Sequence, residues 1–281
     1  MQPQLNDIRD KQRTTWNKFS GGWKKWNDYT MEFLKSSGEA IINELNIQKT
    51  DNVLDIASGT GEPAITIAGI AEEGKVTATD LAQQMLEIAR ENADQKALTN
   101  FETIVADVSD LPFADNSFDK VSCRMGFMFF PDMQLAANEM FRVLKPGGRI
   151  ATSVWFNPEK NLWMTGLMAI IKKNIETPPQ NPDAPSMFRC ATPGLMKSLF
   201  EKAGFKNINE KEISGKTVYP DFEFFWTMMN EVAAPIVSAL NNADEETRRK
   251  VKDEAELFAK QNSGENGIEL DYCSLIISAE K

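Results

Sequence analysis

Val53-Leu54-Asp55-Ile56-Ala57-Ser58-Gly59-Thr60-Gly61-Glu62-Pro63 is the stretch that decides the fold of this chain. It reads as a buried strand that ends in an acid, turns through two glycines and leads into a helix. Glycine has no Cβ, so such a turn lets a ligand press against bare backbone. Pro63 suits the first helical turn, where its missing N–H costs nothing. The free N–H groups at the helix start can then meet the polar atoms of a nucleotide-like ligand.

Two kinds of nucleotide-binding site are compatible with this loop. Gly59–Ala64 matches G-x-G-x-x-G/A, the dinucleotide fingerprint, and Asp80 follows Gly61 by 19 residues, close to the usual place of a ribose-binding acid. The alternative includes Asp55, four residues before Gly59, in the site. The sequence that follows the loop favours this second arrangement.

Val53–Gly61 resembles motif I of the class I S-adenosylmethionine (SAM) methyltransferases, hydrophobic-hydrophobic-Asp-x-Gly-x-Gly-x-Gly. Ala57 stands where that family usually has its first glycine. Alanine is the smallest substitute, so we expect a slightly tighter fit rather than a lost site. Leu144–Arg149 resembles the family's turn into its fifth strand, which a dehydrogenase does not need. The resemblance covers roughly residues 45–156.

The resemblance implies a role for the acids that follow the next two strands. Val76–Asp80 is similar to the family's second strand, where Asp80 holds both ribose hydroxyls through a carboxylate that only accepts hydrogen bonds. Phe101–Val108 is similar to the third strand, where Asp107 accepts from the adenine amino group beside the N–H of Val108. SAM is then the cofactor and S-adenosylhomocysteine (SAH) its product. The cofactor-binding residues implied in this way are Asp55, Ala57, Gly59, Gly61, Asp80, Leu81, Met85, Asp107, Val108 and Arg124.

The fourth strand, Phe118–Arg124, leads into the region where the family holds its acceptor. The setting of Arg124 is similar to that in ubiquinone/menaquinone-type C-methyltransferases and related polyketide methyltransferases. An arginine there could hold a ring oxyanion, organise water, or form a salt bridge to a cofactor-binding acid. Tyr29 is a second catalytic candidate. The predicted acceptor pocket is lined by Trp23, Trp26, Met125, Phe127 and Trp155.

The segment Trp16–Tyr29 holds three of the six tryptophans of the chain. Its diglycine, Gly21-Gly22, interrupts helix propensity and could be the hinge of a lid. The segment could equally be a helix that packs its aromatic rings on the sheet. Both interpretations are compatible with a helix that covers the methionine end of SAM.

Strands and helices alternate along the chain, which predicts an α/β fold with a mostly parallel sheet. The resemblance implies a Rossmann-like sheet of seven strands, the last antiparallel, with helices on both faces and helical insertions that cover the substrate. We expect one structural domain with four parts: 1–46 as an N-terminal helical cap, 47–156 as the SAM-binding core, 157–206 as a helical insertion and return helix, and 207–281 as the last two strands with a second helical insertion at 221–261. Further expected elements are helices at Leu81–Asn92, Asp132–Leu144 and Pro193–Ala203, and strands at Asn207–Val218 and Ile268–Ala279.

Composition favours a cytoplasmic enzyme without a membrane span. Met1–Asp7 lacks the basic-then-apolar order of a secretion signal, and apolar stretches such as Leu162–Ile171 fall far short of the roughly 18 residues typical of a membrane span. The three cysteines, Cys123, Cys190 and Cys273, form neither a disulfide framework nor a zinc spacing. A net charge of −10 argues against nucleic acid as a partner. The chain has no histidine, so a His base and a His-ligated metal are excluded, and we expect no metal site.

The sequence therefore predicts a SAM-dependent methyltransferase that acts on oxygen or carbon of a small apolar acceptor, aromatic or similar to a quinone or polyketide. Three alternatives stay open: an N-methyltransferase of a small amine, an NAD(P)-dependent oxidoreductase that uses Gly59–Ala64, and a non-catalytic SAM-binding protein. The sequence also leaves a homodimer open.

Overall fold

A computed structural model describes residues 2–176, 181 and 184–281 of the chain. Its strands are β1 (Asn52–Ile56), β2 (Lys75–Asp80), β3 (Phe101–Val105), β4 (Phe118–Arg124), β5 (Leu144–Trp155), β6 (Lys206–Tyr219), β7 (Ser263–Gly264) and β8 (Gly267–Glu280). They form one sheet in the order β3-β2-β1-β4-β5-β8-β6, with β7 paired to β8. Strands β1 to β5 run parallel to one another, whereas β8 runs antiparallel to both β5 and β6. The predicted mostly parallel sheet with an antiparallel last strand is confirmed.

Helices connect these strands. They are α1 (Gln2–Lys25), α2 (Asn27–Phe33), α3 (Lys35–Leu45), α4 (Ala64–Ile70), α5 (Gln83–Gln95), α6 (Met133–Val143), α7 (Leu162–Asn174), α8 (Leu195–Ala203), α9 (Phe222–Val232), α10 (Ala234–Asn241) and α11 (Glu245–Gln261). Within the predicted part at 157–206, residues 177–180 and 182–183 lie outside the described residues.

Both faces of the sheet are covered by apolar cores. Alternate residues of a strand point to opposite faces, and β1 shows this with Val53 and Leu54. Val53 belongs to a cluster with Ile41 of α3 and Ile67 of α4, whereas Leu54 belongs to a larger cluster that includes Met140 of α6. Because β1 is buried on both faces, it reads in the sequence as a nearly continuous apolar run.

Single residues close in sequence define the start of α6 and the end of α8. Asp132 caps α6, accepting a hydrogen bond from the N–H of Leu135 at 2.9 Å. Gly204 ends α8 with a φ of 104°, a left-handed conformation that glycine adopts without steric cost.

Two elements differ from the expectation. The third strand ends at Val105 rather than Val108, because Asp107 turns the chain: its carboxylate accepts from the N–H of Ser109 at 2.9 Å. Helix α1 runs through Gly21-Gly22 for 24 residues and ends before Trp26, although the diglycine lowers helix propensity. Gly22 packs closely against α9, because a Cβ there would lie 2.1 Å from the carbonyl oxygen of Glu231. This glycine is therefore explained by packing rather than by a bend in the helix.

Candidate active site

Three of the predicted polar residues lie where the strand order reverses. Strand β1 is paired with β2 on one side and with β4 on the other, so the loops that follow these strands diverge from a common edge. In open α/β sheets such a reversal leaves a crevice outside the carboxyl ends of the strands, where ligands bind. Asp55, Asp80 and Arg124 lie at the carboxyl ends of β1, β2 and β4.

The glycine loop after β1 has the geometry of a ligand-facing turn. Gly59 and Gly61 have φ values of 53° and 113°, which L side chains rarely adopt. A Cβ added to Gly59 would meet no atom within 4 Å, so the backbone there is open to a ligand. A Cβ on Gly61 would lie 2.5 Å from Ile65 and 3.2 Å from Ala89, so this glycine lets α4 and α5 pack closely. The two glycines therefore serve different purposes.

Ala57 also has a left-handed backbone, with a φ of 56°. Its methyl group faces Gly126, where an added Cβ would come within 2.8 Å of the Ala57 Cβ. Gly126 thus leaves the space that the alanine needs. The sequence indicates a tight fit at Ala57, and the structure shows which neighbour makes room for it.

Asp80 is held by the backbone around it. Its Oδ2 accepts from the N–H of Gly59 at 2.9 Å and its Oδ1 from the N–H of Ala82 at 2.8 Å. Each carboxylate oxygen keeps a second lone pair for a ligand hydroxyl. Burial raises the pKa of Asp80, and these two backbone donors oppose the rise. Leu81 follows directly on the chain, and Met85 is buried one turn into α5.

Asp107 lies in the turn beyond β3, beside Val108. Its Oδ1 accepts from the N–H of Ser109 at 2.9 Å, and its Oδ2 lies 3.5 Å from a guanidinium nitrogen of Arg9 on α1. The carboxylate is 22% exposed, so it remains accessible. Arg9 is a site residue that no sequence pattern indicates, because only the docking of α1 brings it here.

Asp55 is a fully buried carboxylate with one oxygen unpartnered among the described residues. Its Oδ1 accepts from the hydroxyl of Ser122 at 2.5 Å, while its Oδ2 has no hydrogen-bond partner. Burial raises the pKa of Asp55 to about 6, and the hydrogen bond from Ser122 opposes the rise. Such an orphaned acceptor fits a cationic or hydrogen-bond-donating ligand group. Sequence reasoning missed Ser122, which lies two residues before Arg124 on the same strand face.

Arg124 is the cation at this edge. Burial lowers the pKa of Arg124 to about 10, and the charges of Glu62 and Asp55 oppose the decrease, so the guanidinium stays charged at neutral pH. One guanidinium nitrogen lies 3.1 Å from the sulfur of Met31. A thioether is a weak acceptor, so this guanidinium retains donors for a stronger acceptor. No salt bridge joins it to Asp55 within 4.0 Å in the described part of the chain.

Aromatic rings surround the end of β5. Trp155 stacks on Phe33 of α2 with ring centroids 5.7 Å apart, and Trp163 of α7 lies 5.0 Å from both rings. Met125, which follows Arg124, has a φ of 58° and donates its N–H to the carbonyl of Ser153 at 2.9 Å. Helix α2, which precedes the sheet in the chain, and helix α7, which follows β5, thus meet at the end of β5.

Phe127, a predicted pocket residue, lies in the core. It is fully buried against Phe130 and Phe200, because the short 3₁₀ turn Phe127–Phe129 directs its ring into the core. Two surface cavities of about 430 and 420 Å³ are lined by residues of α1 and its neighbours rather than by the predicted pocket residues. Neither of these two cavities is lined by the aromatic rings around Trp155.

The tryptophans and tyrosine of the N-terminal helices are engaged with other elements. Trp23 meets the edge of Trp16, and Trp16 contacts Phe129 beyond β4 with ring centroids 5.2 Å apart. The indole N–H of Trp26 donates to Glu231 of α9 at 2.6 Å. Trp16 thereby joins α1 to the chain that follows Arg124.

Tyr29 is held against β6. Its hydroxyl lies 2.8 Å from that of Thr217 and donates to the carbonyl of Val218 at 3.0 Å. Burial raises the pKa of Tyr29 to about 12, so its phenolate is scarce at neutral pH. These hydrogen bonds attach α2 to β6. They indicate that Tyr29 positions α2 rather than removing a proton from the acceptor.

None of the helices in the described ranges combines the length and apolar character that crossing a bilayer requires. Within the same residues, no group of three or more Cys, Asp or Glu side chains is arranged as a metal site.

Comparison with known proteins agrees with this geometry. Residues 53–148 match the family described as "Methyltransferase domain". A demethylmenaquinone methyltransferase of Listeria welshimeri is 39% identical over 128 residues, which are 45% of this chain and 50% of the relative. Another from Staphylococcus epidermidis is 30% identical over 185 residues, which are 62% of this chain and 76% of the relative. The chain thus matches about half the length of the Listeria protein.

A solved structure shows the same fold. The crystal structure of a candidate methyltransferase from Bacillus halodurans superimposes with a TM-score of 0.59. The match covers 88% of this chain and 99% of that one at 22% sequence identity, and at this identity the likeness concerns the fold alone.

Proposed function

Since the chain belongs to the class I SAM-dependent methyltransferases, we propose that it transfers a methyl group from SAM to oxygen or carbon of a small apolar acceptor. One observation carries the proposal. The glycine loop, the acids Asp55, Asp80 and Asp107, and the half-buried Arg124 converge on the edge where the strand order reverses. We assign the three acids to the cofactor and Arg124 to the acceptor.

The residues present fit SAM. Asp80 has lone pairs for two ribose hydroxyls, and Asp107 accepts from the adenine amino group beside the N–H of Val108. The orphaned Oδ2 of Asp55 accepts from the ammonium of the methionine moiety, and Gly59 leaves its backbone bare. When bound, SAM supplies an electrophilic methyl group on a sulfonium and departs as SAH.

The acceptor half is formed by Arg124 and the rings around Trp155. Methyl transfer is an in-line displacement, so the protein mainly aligns the reacting atoms and excludes water, which supplies roughly 7–11 kcal/mol in well-oriented systems. Phe33, Trp155 and Trp163 provide the apolar wall. Arg124, charged at neutral pH, favours the ionised oxygen of a phenol or enol over the neutral form. An acceptor of that chemistry is activated without a histidine base.

Within this class we favour a quinol-like acceptor. The relatives named demethylmenaquinone methyltransferases support a reduced quinone, whose phenolic oxygen suits Arg124. The net charge of −10 supports a small molecule rather than nucleic acid. The three free cysteines support a reducing cytoplasm as the place of action.

Methyl transfer from labelled SAM tests this function. The parent protein is offered a demethylated naphthoquinol, a simple phenol and a small primary amine in parallel. We expect labelled product from the quinol or the phenol, and transfer to the amine alone would favour the N-methyltransferase alternative. Absence of product despite SAH binding would favour a non-catalytic SAM-binding protein.

Arg124→Gln tests the acceptor site. We expect the turnover number to fall by about 10²-fold with SAH affinity nearly unchanged, because the cation acts on the acceptor. Arg13→Gln, on the exposed face of α1, is the matched control and should leave turnover unchanged. If Arg124→Gln keeps the parental turnover, Arg124 does not activate the acceptor.

A further inference from the structure

Helix α1 is docked on the cofactor half of the site by polar contacts. Ala82 at the N-cap of α5 offers no capping side chain, and α1 supplies one: the side-chain oxygen of Asn17 accepts from the N–H of Gln84 at 3.1 Å. Ser20 of α1 donates to the side chain of Gln84 at 3.0 Å. The start of α5 follows Asp80, so α1 borders the ribose-binding acid.

The same helix reaches the acid assigned to adenine. Arg9 and Asn17 are eight residues apart and so share one face of α1. Arg9 places a guanidinium nitrogen 3.5 Å from Oδ2 of Asp107, while Ser109 holds Oδ1. The side chain of Arg9 is 33% exposed and also lies 3.5 Å from Asp10, its neighbour on the helix. Both oxygens of the Asp107 carboxylate are therefore fixed, one by its own turn and one by α1.

We propose that Arg9 is a positioning residue that aims the Asp107 carboxylate at the amino group of adenine. The inference rests on the proposed function, which assigns Asp107 to the cofactor. A carboxylate can only accept hydrogen bonds, so it favours a 6-amino purine over a 6-oxo purine, whose oxygen it repels. This discrimination requires a fixed carboxylate, because a mobile one turns away from the wrong base. Arg9 thus makes α1 part of cofactor selection.

Calorimetric titration with SAH and with its inosine analogue, S-inosylhomocysteine, tests the proposal. The parent should prefer SAH. In Arg9→Ala we expect SAH affinity to fall by about fivefold, the scale of a partly exposed ion pair, with little change for the inosine analogue. The ratio between the dissociation constants of the inosine analogue and SAH should therefore decrease in Arg9→Ala, and Arg9→Lys should restore part of that ratio. A role limited to holding α1 in place would weaken both nucleosides by the same factor.

Arg13→Ala is the matched control. Arg13 lies one turn further along α1, pairs with Asp10 at 3.2 Å and is 51% exposed. The Arg13→Ala variant should bind both nucleosides like the parent. The unfolding temperatures of Arg9→Ala and Arg13→Ala without ligand should be similar. If the parent selects SAH and Arg9→Ala selects it equally well, the role of Arg9 is wrong. If the parent binds neither nucleoside, the proposed function is wrong, and the role of Arg9 with it.

Discussion

Single residues in this site depend on exact partners in other elements. Ala57 occupies a left-handed backbone conformation that costs a non-glycine residue about 1–2 kcal/mol. The methyl group of Ala57 fits in this position because Gly126, on the loop after β4, has no side chain that would collide with it. Gly126, 69 residues further along the chain, therefore leaves the space that an alanine needs at this position of the motif.

Asp80 should dominate cofactor affinity among the acids. Replacing it with Ala removes a charged hydrogen-bond acceptor, so we expect a loss of about 1.5–3 kcal/mol in SAH binding, about 10- to 100-fold in Kd. Asp80→Asn retains one oxygen and should lose less. Asp119→Ala is the control, since that acid pairs with Lys145 at the amino end of β4. Parental affinity in Asp80→Ala would show that the ribose is held elsewhere.

Asp55 should make the ligand-free protein sensitive to pH. Burial raises its pKa from 3.8 to about 6. An acid with a raised pKa in the folded state adds stability below its unfolded pKa and loses it as pH rises through the folded value. Between about pH 4 and 6.5, the parent should therefore lose on the order of 2 kcal/mol of unfolding free energy relative to Asp55→Asn.

Urea unfolding at a series of pH values measures this difference. Other carboxyl groups also titrate in that window, Asp80 among them, but they are common to both proteins, so the difference between the two curves reports Asp55. Ser122 can donate to the amide oxygen of the variant as it does to the carboxylate, which limits rearrangement. Parallel curves for the two proteins would show that the Asp55 pKa is not raised.

At the scale of elements, local sequence signals predicted most of the helices and strands. The capping acid Asp132 and the terminal Gly204 mark helix ends, and the apolar run of β1 marks a strand buried on both faces. The early end of β3 was not predicted, because the turn depends on Asp107 accepting from Ser109. The docking of α1 was not predictable either, since its contacts with α5 through Asn17 and with α9 through Lys25 join residues more than 60 positions apart.

The diglycine of α1 allows a sharp test of that docking. A Cβ at Gly22 would lie 2.1 Å from the carbonyl oxygen of Glu231, whereas one at Gly21 would meet nothing within 4 Å. Gly22→Ala should therefore lower the unfolding free energy by about 1–3 kcal/mol, through a forced shift of α1 from α9. Gly21→Ala should raise it by about 0.5–1 kcal/mol, because alanine favours helix.

Chemical denaturation of the two variants gives the comparison. Opposite signs would confirm that Gly22 is a packing position and Gly21 a solvated one. Equal destabilisation by both would instead indicate that the diglycine must bend, as the hinge hypothesis requires.

At the scale of the whole molecule, motif order predicted which acids share one edge of the sheet better than which aromatic rings meet there. The acids after β1, β2 and β3 are brought to one edge by the topology alone, so their spacing in the sequence was sufficient. The rings of Phe33 on α2 and Trp163 on α7 meet Trp155 only through packing. Apolar periodicity predicts that such residues are buried but not which rings they contact.

The central claim is that the site holds SAM rather than a nicotinamide nucleotide. Calorimetric titration of the ligand-free protein with SAM, SAH, NADH and NADPH in parallel tests it most directly. We expect micromolar binding of the two sulfur nucleosides and none of the dinucleotides, because the unpartnered oxygen of the Asp55 carboxylate suits the ammonium of the methionine moiety and repels a pyrophosphate. Binding of NADH or NADPH alone would contradict it and leave Gly59–Ala64 as a dinucleotide loop.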